Sequence, residues 1–128
     1  MRIMLGFVVV FLGGGLGAAL RHGINLAAAR TIGTAFPYGT LFINVLGSLC
    51  MGLIVEYFAL KSGLSQRWLL FITTGILGGF TTFSTFSLDT ALLYERGELA
   101  AAALYVIASV AVAIAALFAG MAVVRALA

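Results

Sequence analysis

Charge is what this chain most lacks. Seven Lys and Arg and four Asp and Glu make up 9% of 128 residues, against about 25% in an ordinary soluble domain. So few charges cannot cover the surface of a water-soluble fold of this size. The same scarcity excludes disorder, collagen and a soluble coiled coil. Cysteine is nearly absent: Cys50 stands alone inside an apolar run, which excludes a disulfide framework within one chain and gives a thiolate metal site nothing to build on. His22, the single histidine, sits beside Arg21 with no second ligand nearby in sequence. The net charge of +3 is scattered, so no basic patch argues for nucleic acid.

What is present is apolar. The hydrophobic share is 63% and the mean hydropathy is +1.21, the composition of an integral membrane protein with almost nothing outside the bilayer. A transmembrane helix takes roughly 20 mostly apolar residues, and residues 1–128 hold four such runs in one all-α domain. The first runs from Ile3 to Leu20, with a polar end that can reach Arg21 and His22. The second runs from Tyr38 to Leu60, entered after Pro37, which suits a helix start. An interrupted third runs from Trp68 to Leu93, and an uncharged fourth from Leu99 to Val124. Gly23–Phe36, Lys61–Arg67 and Tyr94–Glu98 are the connections. The start at Met1-Arg2 is read as a span, because a cleaved signal would leave no secreted domain behind it.

Four spans place both ends of the chain on one side of the membrane. Arg2, Lys61, Arg67 and Arg125 fall on that side and Arg21, Arg30 and Arg96 on the other, a difference the positive-inside rule can hardly act on. Either one orientation wins by a small margin, or the chain inserts both ways and pairs with its inverted copy. Glycines at 13, 14, 15, 17, 47, 52, 75, 78 and 79 permit the close backbone contact by which helices associate in lipid.

The third run carries the unusual chemistry. From Thr73 to Ser87, fifteen residues hold seven hydroxyls and three glycines. The Gly78-Gly79 step and the Thr81-Thr82 step both favour leaving the helix, and freed backbone groups must then be buried or line a wet cavity. Discontinuous helices of this kind take cations on carbonyls and anions on half-helix amino ends. Phe83 and Phe86 share a face if helix resumes there, and a ring is positive at its edge. They either meet an anion edge-on or pack against lipid and core. Asn44 is an amide in the middle of a span, either a pore donor or glue between helices. Tyr105 and Ser109, four apart, either extend a donor track or make ordinary helix contacts. Glu56 and Asp89, late in their spans, are expected at the interface.

No Ser/His/carboxylate set, phosphate-binding loop or paired carboxylates occur, so enzyme chemistry and nucleotide-driven pumping are not supported. Passive conduction is.

Gly75-Ile76-Leu77-Gly78-Gly79-Phe80-Thr81-Thr82-Phe83-Ser84-Thr85-Phe86 resembles the signature of the Fluc, or CrcB, fluoride channels. Gly39-Thr40-Leu41-Phe42-Ile43-Asn44-Val45-Leu46-Gly47 resembles the family's second-helix motif, and Gly14 through Arg21 its first. The resemblance implies a fluoride-selective channel that exports the ion passively across the inner membrane, built as a dual-topology homodimer of inverted subunits. It implies a structural Na⁺ held by the backbone carbonyls of Gly78 and Thr81. It makes Phe83 and Phe86 the pore phenylalanines and Asn44 the pore amide. Thr40, Thr82, Ser84, Thr85, Tyr105 and Ser109 supply donors, and Arg21 stands near the aqueous vestibule. His22 departs from the aromatic usual after that arginine, and Ala113 thins the polar track beyond Ser109. A proton-coupled exporter of the small multidrug type shares the four-span plan but needs a carboxylate embedded in its first span, which is absent here. A non-transporting membrane subunit would leave Asn44 and the Phe pair unexplained.

Overall fold

Each apolar run becomes a long helical path in the computed structural model, which describes residues 1–61 and 63–128. Ser62, in the second connection, lies outside the described residues. Helix α1 spans Arg2–Thr31 and α2 Tyr38–Leu60. The third path comprises α3 (Gln66–Leu70), a π-helical stretch (Phe71–Leu77), α4 (Gly78–Phe80) and α5 (Phe83–Glu95); α6 (Leu99–Leu127) closes the chain. All four paths are long and apolar enough to cross a membrane. Between 11% and 22% of an 18-residue apolar stretch in each is buried within the chain, so most of the apolar surface faces outward, as lipid or a partner requires.

The second path has the ends expected of it, starting directly after Pro37. The first is longer than expected. Gly23 is a weak point worth about 1 kcal/mol, but Leu26-Ala27-Ala28-Ala29 favours helix and carries α1 to Thr31. The stop comes at Gly33, which adopts φ +95, while the N–H groups of Ile32 and Gly33 both donate to the Ala28 carbonyl. The expected 23–36 connection shrinks accordingly to residues 32–37. The last helix likewise runs three residues past Val124.

Small residues set the packing. A Cβ added at Gly13 would stand 2.9 Å from the Gly75 Cα, and one at Gly79 would meet the Gly14 carbonyl, so α1 lies directly on the third path. Between α2 and α6, a Cβ at Gly52 would strike the Leu117 carbonyl, and one at Gly120 the Leu49 carbonyl. Gly52→Val should therefore separate α2 from α6 and cost about 2 kcal/mol. An unfolding midpoint equal to wild type in detergent would contradict that packing.

Glu56 does not reach out to the interface. It is 8% exposed and accepts from Arg125 Nε at 3.1 Å and Nη2 at 3.2 Å. Two intervening connections bring the C-terminal ends of α2 and α6 to the same side, where Arg125 supplies the charge that makes inward burial of a carboxylate tolerable.

Candidate functional site at the break in the third path

The backbone leaves the helix at two threonines. Thr81 has φ −80, ψ 157 and Thr82 φ −153, ψ 122. The cause is local. Both the N–H and the hydroxyl of Thr81 donate to the Leu77 carbonyl, at 3.0 and 2.9 Å, which closes the preceding turn. The Thr82 hydroxyl then accepts from the Thr85 N–H at 3.1 Å, the N-cap role for which threonine is suited. Upstream, the π-helical stretch already departs from regular geometry, a feature that tends to mark functional positions.

Gly78 and Gly79, which the sequence marks as candidates for unwinding, stay in the helical turn α4; Gly78 has φ −63, ψ −39. Their neighbours give the reason for at least one glycine: Gly79 lets α1 approach at Gly14. The leaving step belongs to the β-branched pair that follows, whose stiff side chains favour extended backbone.

Two side chains from other helices brace the break. Asn44 on α2 donates Nδ2 to the Thr82 carbonyl at 3.0 Å and accepts the Thr82 N–H on Oδ1 at 2.8 Å. Arg21 on α1 donates Nε to the Gly79 carbonyl at 3.2 Å. This division frees two particular oxygens. The amide that would close a helical bond onto Gly78 is that of Thr82, spent on Asn44. The one that would close onto Thr81 is that of Thr85, spent on the Thr82 hydroxyl.

Asn44, Thr81, Thr82, Phe83, Phe86 and Ser109 line one cleft of about 510 Å³ between α2, the break and α6. The Phe83 and Phe86 rings lie 5.4 Å apart; Phe83 is 77% exposed and Phe86 9%. Ser109 is buried, and among the described residues its Oγ is the one buried side-chain polar atom without a hydrogen-bond partner. Asn44 has one Nδ2 hydrogen left after serving Thr82.

Other expected site residues fall elsewhere. Thr40 and Thr85 line a second cleft of about 270 Å³ together with Asp89. The Thr82 hydroxyl donates to that of Thr85 at 3.2 Å, so Thr85 links the two clefts with its own proton free. Tyr105 is fully buried, its ring 5.2 Å from Phe86, and its hydroxyl donates to Asp89 at 3.1 Å. Asp89 is thus turned inward rather than to the interface, because Tyr105 offers it a donor. The sequence assigns it no place in the site, although its position four residues after Thr85 puts both on one helix face. Ser84 is exposed, 3.3 Å from the Thr82 hydroxyl. Arg21 lines neither of these two clefts.

The chain matches known proteins over nearly its whole length. Residues 8–121 match the family described as CrcB-like protein, Camphor Resistance (CrcB). A "Fluoride-specific ion channel FluC" of Rhodopseudomonas palustris (strain BisB5) is 66% identical over 121 residues, 94% of this chain and 98% of the relative. "Fluoride-specific ion channel FluC 2" of Nitrobacter hamburgensis is 59% identical over 94% of this chain and 98% of its own. One from Methylobacterium nodulans, with the same name as the first, is 63% identical over 95% and 98%.

Proposed function

The chain belongs to the CrcB family, and on that premise we propose that it is a fluoride channel of the inner membrane that lets F⁻ leave the cytoplasm passively. The observation that carries the chemistry is the first cleft. Donors from Asn44 and Ser109 meet the Phe83 and Phe86 rings there, and every residue lining it is uncharged. Fluoride is small and strongly hydrated, so its water must be replaced by donors and ring edges that still release it. A fixed cation in the cleft would hold the ion, or pass chloride.

The break lies midway along the 30-residue third path, which supports a position near the middle of the membrane. The freed oxygens of Gly78 and Thr81 are hard, neutral donors of the kind unwound segments offer Na⁺. These two residues would hold a structural Na⁺, whose charge would fix the facing backbones without a side-chain ligand. Two inverted copies forming a dual-topology homodimer would cover the exposed Phe83 and Gly78 and complete the path. The near-equal basic residues on the two sides favour the same assembly. Reporters fused to the C-terminus should then signal from both sides of the membrane in about equal amounts; signal from one side alone would contradict the inverted pair.

The decisive experiment is fluoride efflux from proteoliposomes, read with a fluoride electrode after a potassium ionophore is added. Rapid release with no energy source is expected, and intact protein giving no release would overturn the reading. A proton-coupled exporter fits less well, since Glu56 is committed to Arg125 and Asp89 to Tyr105.

A further inference from the structure

The α1–α2 connection lines the second cleft, and among the described residues a single hydrogen bond ties it to the turn beyond α5. Residues 32–37, connecting α1 to α2, run past the mouth of the cleft that contains Thr40, Thr85 and Asp89. Arg96, in the turn between α5 and α6, donates Nη2 to the Ala35 carbonyl at 2.8 Å and pairs with Glu98 at 3.0 Å. Among the described residues, this is the one hydrogen bond joining the connection to an element other than the helices it links. Glycines at φ +95 (Gly33) and φ +79 (Gly97) flank the two partners, a backbone conformation that glycine enters freely.

Next to Ala35, Phe36 continues a column of rings. Phe83 and Phe86 are 5.4 Å apart, Phe86 and Tyr105 5.2 Å, Tyr105 and Phe36 5.5 Å. Phe36 meets Tyr105 edge-on, with the ring planes at 84°. The column therefore runs from the break to the mouth of the cleft, and its last ring is carried by the connection that Arg96 ties down. A cleft of 270 Å³ has room for about nine waters at roughly 30 Å³ each, enough to rehydrate a small anion that has passed Thr85.

We propose that Arg96 and Phe36 together set the rate at which fluoride leaves this cleft: Arg96 latches the α1–α2 connection through Ala35, and Phe36 thereby caps the path between Thr85 and water. The proposal rests on the fluoride-channel reading. The tie suits this role because it joins exposed groups and is weak. Segments with few such ties open most readily, and an exposed charged contact shifts such an equilibrium by a small factor. Arg96 also lines this cleft beside Asp89; its part in the latch is that of a positioning residue, and Phe36→Ala, which leaves the Arg96 charge in place, separates the latch from the charge.

The test is initial fluoride efflux from proteoliposomes containing the full chain, for wild type, Arg96→Gln, Phe36→Ala and the double variant. Each single variant should raise efflux about threefold. The double should match the larger single rather than their product, because both relieve one step. Chloride should stay excluded. Efflux unchanged or slower in either single variant, multiplicative gains in the double, or a new chloride leak would each overturn the latch. Wild-type protein that assembles but releases no fluoride overturns the channel reading instead, so the two failures are distinct. If Arg96→Gln does not assemble, Phe36→Ala decides alone, since it leaves the Arg96 contacts in place.

Discussion

Asn44→Ala is expected to abolish fluoride efflux and to let the break close. The substitution strips both the donor and the acceptor that Asn44 supplies to Thr82. Leaving two backbone groups unpaired costs about 1–3 kcal/mol each, and more where no water can reach. The cheapest relief is for the Thr82 N–H to turn back to the Gly78 carbonyl four residues earlier and restore a helical bond. That would withdraw one of the oxygens proposed for Na⁺ and move Phe83 with the refolded turn. Asn44→Asp keeps the acceptor for the Thr82 N–H but sets a carboxylate against the Thr82 carbonyl in the proposed anion path; it should be as inactive. Asn44→Ser, with a shorter reach, should reduce efflux without abolishing it. Efflux and detergent unfolding measured on the same preparations check this. Wild-type efflux from Asn44→Ala would show that the amide neither braces the break nor serves the ion.

Local signals in the sequence were legible and pairings across helices were not. Hydropathy located the four membrane-competent paths, and Pro37 located the start of α2 to the residue. The first helix overran its expected end because alanines beyond Gly23 continue a helix that hydropathy alone ends at Arg21. The hydroxyl-rich stretch Thr73–Ser87 stood out by composition, yet its division of labour was hidden. Gly75 and Gly79 serve helix approach, while the leaving step falls to Thr81 and Thr82, because the Asn44 amide is there to receive the Thr82 backbone from 38 residues away. The same blindness to distant partners hid the Glu56–Arg125 pair, 69 residues apart, and the Asp89–Tyr105 bond. A carboxylate near a helix end reads as interfacial until the side chain that can hold it inward is known.

Phe83→Ile and Phe86→Ile should each cut fluoride efflux by roughly a hundredfold, which is about 3 kcal/mol and the upper range for a contact to an ion. Both swaps keep an apolar side chain of comparable bulk and remove the positive ring edge. Their structural costs differ, and this makes the pair informative. Phe86 is 9% exposed and packs on Tyr105, so its replacement should also cost about 1–2 kcal/mol of stability. Phe83 is 77% exposed within its own chain, so its replacement removes little packing there, and unfolding of the separated subunit should shift by less than about 0.5 kcal/mol. If the rings only filled space, efflux would follow stability: Phe86→Ile would be impaired and Phe83→Ile near normal. If their edges replace water around the ion, both collapse together while only one is destabilised. Thr→Val changes at Thr82 or Thr85 would not separate these cases, because they also break the α5 cap and the hydroxyl chain. Normal efflux from Phe83→Ile in a folded, assembled channel would remove the aromatic-edge mechanism and leave the Asn44 and Ser109 donors to strip the ion of its water by themselves.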